Sequence, residues 1–354
     1  MRSTPSFGIA ELAAAPVLSR PPPILAIDKL QVSLFTRRGV LPAVDGLSLE
    51  VAPGETVAIV GESGCGKSLA ALAVMRLLPE PPARIVGGAV RFLGRDLATL
   101  SDREMQRVRG RDISMIFQDP MTSLDPVLTV GDQLIEAIRQ HTEVSRREAR
   151  NRAVELLRQV RIPDAERRLD DYPHQMSGGM SQRVMIAMAI ACGPQLLIAD
   201  EPTTALDVTV QAQILELLKE LQTGSGMGLI IITHDLGVVA ETADRVVVMY
   251  AGRKVEEARV GALFERPLHP YTRGLLGATP SAVRSRGGRL AEIAGSVPAL
   301  SDLPAGCAFQ NRCPDVFDRC RAARPVLAPL LPQHAAACFA AEEELSRHAA
   351  AVGT

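Results

Sequence analysis

The run Gly61-Glu62-Ser63-Gly64-Cys65-Gly66-Lys67-Ser68 constrains this chain more than any other. Two glycines with four residues between them, followed by Lys and Ser, make the pattern of a phosphate-cradling loop. An apolar, strand-like stretch, Thr56 to Val60, leads into it, and a helical stretch, Leu69 to Leu78, leaves it. That setting is what such a loop needs. Glycines let backbone N–H groups curl around phosphate oxygens, at a helix N-terminus whose dipole already favours anions. Lys67 is placed to reach terminal phosphates, and the Ser68 hydroxyl to ligate Mg²⁺. The expectation is a bound nucleoside triphosphate; a chance Gly-rich turn is the bland alternative.

Length and composition bound the rest. At 354 residues the chain has room for two domains, one large and one small. A net charge of −1 supplies no basic excess to neutralise phosphates, which argues against a general nucleic-acid binder. No Trp and 3% aromatics leave little for base-stacking surfaces. No apolar run approaches bilayer length, so a membrane role would come through a partner. Residues 1–23 read as a disordered or loosely docked tail: Glu11 interrupts the apolar stretch and Pro21-Pro22-Pro23 ends it.

Alternation through residues 24–60 suggests antiparallel strands around the turn at Pro53-Gly54, and residues 85–93 suggest a further strand pair. Between about 130 and 192 the period becomes helical and the surface charged, as in a helical subdomain. Ile113 to Phe117, Leu196 to Ala199, Leu229 to Ile232 and Arg245 to Met249 are apolar runs of buried strands, expected in a mostly parallel sheet with helices on both faces. A boundary is expected near residue 260, separating 24–260 from a small, Cys-rich segment at 261–354.

Leu196 to Ala199 runs into Asp200-Glu201. Asp200 suits the Mg²⁺ that bridges nucleotide oxygens, and Glu201 suits a base for the attacking water. His234 follows the strand Leu229 to Thr233, and a parallel sheet would deliver it to the same edge as Lys67 and Glu201. Ser177-Gly178-Gly179-Met180 opens a helix expected to reach Ala191. Ser177 is its N-cap, and the bared N–H groups form a second anion cradle or only a helix start.

Together these motifs resemble the ATP-binding subunits of ABC transporters over residues 24–260: the phosphate loop, Gln118, the Ser-Gly-Gly signature, Asp200-Glu201, Ala205-Leu206-Asp207 and His234, in that order. The resemblance implies an α/β phosphate-loop NTPase core with an antiparallel β subdomain and a helical subdomain. It implies that Gln118 contacts Mg²⁺ and senses a membrane subunit. Ser177, Gly178 and Gly179 would meet the γ-phosphate held by a second ATPase subunit, with Asp207 coupling the two sites. Met180 stands where many relatives have Gln. The adenine-stacking aromatic falls by spacing at Leu34; the adjacent Phe35 either stacks on adenine or belongs to the core.

Beyond residue 260 the chain resembles a narrower branch, the ATPases of dipeptide, oligopeptide and nickel importers. The resemblance rests on Phe117 to Pro126, on His269-Pro270-Tyr271-Thr272 and on Cys307, Cys313, Cys320 and Cys338. It implies a heterodimer with a related ATPase, two permease subunits, an extracytoplasmic solute-binding protein, and a peripheral place on the cytoplasmic face of the membrane. The four thiols suit a [4Fe–4S] cluster, which the resemblance favours, or Zn²⁺, or else stay as reduced thiols or a disulfide pair; His334 is a substitute ligand or a solvated loop residue. Cys65 is expected to project from the phosphate loop, so that alkylation inhibits hydrolysis and ATP protects; Cys192 is expected to pack in a helix. A nickel importer, a non-transport ABC ATPase, an ATP-holding regulatory module and an exporter are the competing functions. Glu201 with His234 argues against the module, and the branch motifs and the lack of fused membrane helices argue against an exporter.

Overall fold

The computed structural model describes residues 22–37, 39–204, 206–278 and 293–352. Most of the expected tail at 1–23, and Ala205, lie outside them.

Two sheets organise the chain. β1 (Leu25–Thr36), β2 (Gly39–Val51), β4 (Ala83–Phe92) and β5 (Arg95–Asp96) form an antiparallel sheet in the order β2-β1-β4-β5. An eight-stranded sheet has the order β11-β12-β10-β9-β3-β8-β7-β6. Its members are β3 (Thr56–Val60), β6 (Ile113–Ile116), β7 (Leu196–Asp200), β8 (Gly228–Thr233), β9 (Arg245–Tyr250), β10 (Arg253–Arg259), β11 (Ala328–Leu331) and β12 (His334–Ala336). Strands β6, β7, β8, β3 and β9 pair parallel, and the remaining three continue the sheet antiparallel.

The apolar runs are continuous because both sheet faces are covered. Leu196 and Ile198 of β7 point into the core shared with the antiparallel sheet and the helix Lys67–Val74. Leu197 and Ala199 point the other way, into a core built with helices Val130–His141, Arg146–Gln159, Gly178–Ile190 and Val208–Ser225. β8 divides likewise, with Ile230 and Ile232 on the first face and Leu229 and Ile231 on the second.

Two turn expectations are corrected. The hairpin of the antiparallel sheet lies between Thr36 and Gly39, not at Pro53-Gly54. Pro53-Gly54 instead carries the chain from one sheet into the other, because β3 finds its partners in β8 and β9. Residues 85–93 lie mostly in one strand, β4, which pairs with β1.

A separate Cys-rich domain at the C-terminus is also not what the described residues form. β12 pairs with β10 through Glu256↔Ala336 and Ala258↔His334, so the last part of the chain extends the same sheet. Glu256, fully buried, is the hub of this junction. Its carboxylate accepts from the N–H groups of Leu268 (2.7 Å) and His269 (3.0 Å), and lies 2.7 Å from His334 Nε2. His334 is therefore a buried partner of Glu256, neither a solvated residue nor a spare thiolate substitute. Burial holds the His269 pKa down to about 4, so its neutral Nδ1 accepts the Tyr271 N–H at 3.0 Å and caps the helix Pro270–Gly277.

Candidate nucleotide site

Strand register assembles the site. In the parallel sheet Ile116 stands beside Ala199, Asp200 beside Ile232, and Val60 beside Thr233. Residues within two positions of the ends of four strands therefore emerge at one carboxyl edge: Gly61, Gln118, Glu201 and His234. Ligands bind at such edges in open α/β sheets.

The phosphate loop is shaped by its glycines. Gly66 has φ of +96°, and a Cβ there would lie 2.4 Å from the Ala43 carbonyl oxygen. It precedes the helix Lys67–Val74, whose N-terminus has no side-chain cap. Unclaimed N–H groups at that end suit an anion. Lys67 is buried, and Nζ donates to the carbonyls of Gly61 (2.8 Å) and Glu62 (3.1 Å). Ser63 and Gly64 form the exposed lip of the loop.

Cys65 corrects an expectation. It is 1% exposed and faces inward, with Sγ 3.8 Å from Lys67 Nζ. Burial raises its thiol pKa against the opposing pull of Lys67. A buried, protonated thiol is a poor nucleophile, so ready alkylation is no longer expected. Cys192 lies in the turn after the helix Gly178–Ile190, its thiol 3.8 Å from the Ala137 carbonyl.

At the two residues expected to hold Mg²⁺, Ser68 Oγ donates to Asp200 Oδ1 at 3.1 Å. Asp200 is 5% exposed, and desolvation, helped by the Glu201 charge, raises its pKa against the Ser68 hydrogen bond. The buried carboxylate has one hydroxyl partner, and the positive charge of Lys67 offsets its desolvation only in part. Hydroxyl, carboxylate and the nearby Gln118 amide are hard donors, and Mg²⁺ takes one or two carboxylates plus phosphate oxygens and water. The donor set fits that ion.

Glu201 is the centre of this edge. Its backbone turns left-handed (φ +45°) while its N–H still donates to Ile232 O at 2.9 Å. A non-glycine residue in that region is uncommon, and here it aims the carboxylate out of the strand. Gln118 Nε2 donates to Oε2 at 3.0 Å, Thr204 Oγ1 donates to Oε2 at 2.9 Å, and His234 Nδ1 is 3.4 Å from Oε1. Thr204 was not anticipated from the sequence; its place three residues after Glu201, on the turn leaving the strand, is the signal that could have found it.

Ser177, Gly178, Gly179 and Asp207 stand apart from this edge. Ser177 is the N-cap of the helix Gly178–Ile190, accepting from Met180 N, and Asp207 caps the helix Val208–Ser225 through Thr209 and Val210. The two helix starts pack together: a Cβ on Gly179 would lie 2.8 Å from Val210 Cγ1. Among the described residues, none of them hydrogen-bonds to the phosphate loop, and Ser177, Gly178 and Asp207 are exposed.

Leu34 packs against the core, whereas Phe35 is 43% exposed with the Arg84 guanidinium carbon 5.6 Å from its ring centre. Phe35 is not a core residue.

Cys307, Cys313, Cys320 and Cys338 line one cavity of about 10 Å³, together with His269, Phe309 and Asp315. All are free thiols. Burial raises Cys307, and pushes Cys313 and Cys338 up to about 11. Among the described residues no three His, Cys, Asp or Glu side chains gather at ion-holding distances. The expected zinc or iron–sulfur ligand set is thus not assembled among the described residues, and the space between the thiols holds about one water.

Residues 44–204 match the ABC transporter family, and residues 255–320 match the oligopeptide/dipeptide transporter C-terminal region. A probable peptide ABC transporter ATP-binding protein of Sinorhizobium fredii is 56% identical over 320 residues, spanning 90% of this chain and 96% of its own. The dipeptide transport ATP-binding protein of Escherichia coli is 52% identical, across 89% of this chain and 96% of its own. Among solved structures, the dimeric bacterial ABC transporter cassette MJ0796 matches with a TM-score of 0.60 at 29% identity, over 67% of this chain and 98% of that one. With the phosphate loop, the two carboxylates and the signature in their places, this chain belongs to the ATP-binding subunits of peptide-type ABC transporters, ATPases that power peptide import.

Proposed function

We propose that this subunit hydrolyses ATP at the carboxyl edge of its sheet, and that a second ATPase subunit completes the site. One observation carries the assignment: Ser68 with Asp200, and Glu201 with Gln118 and His234, meet at the edge where the phosphate loop ends. The loop's N–H groups and Lys67 would hold the phosphates, with Phe35 offering its open ring to adenine. Ser68, Asp200 and Gln118 would hold Mg²⁺, which when bound offsets charge on the phosphate oxygens. Glu201, oriented by Gln118 and Thr204, accepts the proton of the attacking water, and His234 beside it orients that water against the γ-phosphate. Ser177 to Gly179 and Asp207 supply the opposite wall to a partner's nucleotide, which accounts for their exposure and their distance from this chain's own loop. The dimeric cassette among its structural relatives supports that arrangement.

The partners follow from the import reading: a related ATPase as heterodimer mate, two permease subunits, and an extracytoplasmic solute-binding protein. No helix among the described residues is long and apolar enough to cross a membrane, so the permeases would hold the subunit at the cytoplasmic face. Residues 24–260 would form the ATPase domain, with the helical subdomain of 130–192 facing the permease, and 261–354 the branch-specific addition. A [4Fe–4S] cluster rests on four thiols converging on one cavity, which would have to open to admit it. Iron and sulfide analysis after anaerobic purification tests that reading.

ATP-driven peptide uptake into proteoliposomes carrying the permeases and both ATPases is the decisive assay. Uptake abolished by Lys67→Ala is expected. ATP binding by Lys67→Ala at wild-type affinity, or uptake of nickel but not peptide, would overturn the corresponding part.

A further inference from the structure

Glu62, second in the phosphate loop, is held on three sides. Its N–H donates to the Tyr271 phenol oxygen at 2.8 Å. Its carbonyl is one of the two that seat Lys67 Nζ. Its carboxylate takes both arms of the Arg312 guanidinium, at 2.7 and 2.9 Å. Both outside holders, Tyr271 and Arg312, come from the C-terminal segment, 209 and 250 residues away along the chain.

The holders are themselves fixed. The Arg312 side chain is 5% exposed, its Nε donates to the Ala294 carbonyl at 3.0 Å, and its guanidinium carbon lies 5.9 and 5.8 Å from the ring centres of Tyr250 and Phe309. Tyr271 is fully buried against the same two rings. A planar fork locked between rings and a carboxylate sets orientation as well as charge.

Two consequences bear on the nucleotide. A carboxylate on a phosphate loop repels a triphosphate unless it is neutralised, and Arg312 neutralises it. A displaced Glu62 carbonyl also moves the seat of Lys67. We infer that Arg312 and Tyr271 are positioning residues of the nucleotide site, through which the C-terminal segment sets the affinity of the cassette for ATP. This rests on the reading that the loop of Lys67 holds ATP.

Equilibrium titration of the purified subunit with a fluorescent ATP analogue, together with steady-state hydrolysis, tests the clamp. Arg312→Ala is expected to weaken nucleotide binding about tenfold, equivalent to about 1.4 kcal/mol. Glu62→Gln added to Arg312→Ala recovers most of that loss, because the unpaired charge is gone although the bridge is still missing. A tie that only holds the segment in place predicts no recovery, so a double variant as weak as Arg312→Ala overturns the proposal. So does Arg312→Ala with wild-type affinity. Tyr271→Phe keeps size and burial and loses only the acceptor for the Glu62 N–H; its KM for ATP should rise about threefold with kcat little changed. An unchanged KM counts against the clamp even if Arg312→Ala fails to fold. Lys67→Ala separates the two readings: normal binding there removes the ATP site itself, whereas lost binding there with unaffected clamp variants removes only the clamp.

Discussion

At the carboxyl edge of the sheet the titratable side chains touch one another, whereas in the C-terminal cavity four thiols face each other with no hydrogen bond between them. Glu201 alone has three side-chain partners, Gln118, Thr204 and His234, and Asp200 has Ser68. The edge opens to solvent through Gln118 and His234, so water, phosphate and a hydrated ion can enter. The cysteine cavity is small and half-buried, and desolvation raises the thiols of Cys307, Cys313 and Cys338. The difference lies in how each is held. Register in a parallel ladder fixes the edge, which is organised before any ligand arrives. Three of the thiols sit outside helices and strands, and Cys320 sits on the short helix Asp318–Ala322.

That contrast can be broken at its ends. Glu256→Ala should cost the fold roughly 3 kcal/mol, since two buried N–H groups and His334 lose their acceptor. Denaturant unfolding reads it, and a loss under about 1 kcal/mol would mean that the junction does not organise the C-terminal segment. At the edge, Glu201→Gln should leave the fold intact and bind ATP, yet lower turnover at least about a hundredfold. Normal phosphate release would remove Glu201 from the chemistry. Gln118→Ala should cost about tenfold in kcat by freeing the Glu201 carboxylate to reorient. Turnover at wild-type level would show that Thr204 and His234 suffice. The smallest effect concerns Cys65. Brief maleimide treatment of the native protein should label Cys192, Cys307 or Cys313 ahead of Cys65 and leave hydrolysis unchanged. Early inactivation that tracks Cys65 labelling would reverse the assignment of that thiol as buried.

Short motifs were legible where chemistry and chain direction coincide. A strand, a glycine loop and a helix in succession can hardly be arranged otherwise, and strand ends carrying Asp200-Glu201 and His234 reach one edge once the sheet is parallel. The hairpin position is not legible in the sequence because Pro53-Gly54 reads as a turn of either kind; only the pairing of β3 with β8 and β9 decides which. His334 and Cys65 were misplaced for a related reason. Polar residues declare their type in a sequence but not their burial.

The nucleotide chemistry and the order of elements are legible from local pattern, since both depend on close neighbours along the chain. Long-range packing is what brings Arg312 to Glu62 and Glu256 to His334, and what adds the last strands to the ATPase sheet. Those pairs join segments up to 250 residues apart, where no local pattern acts and only packing brings the partners together.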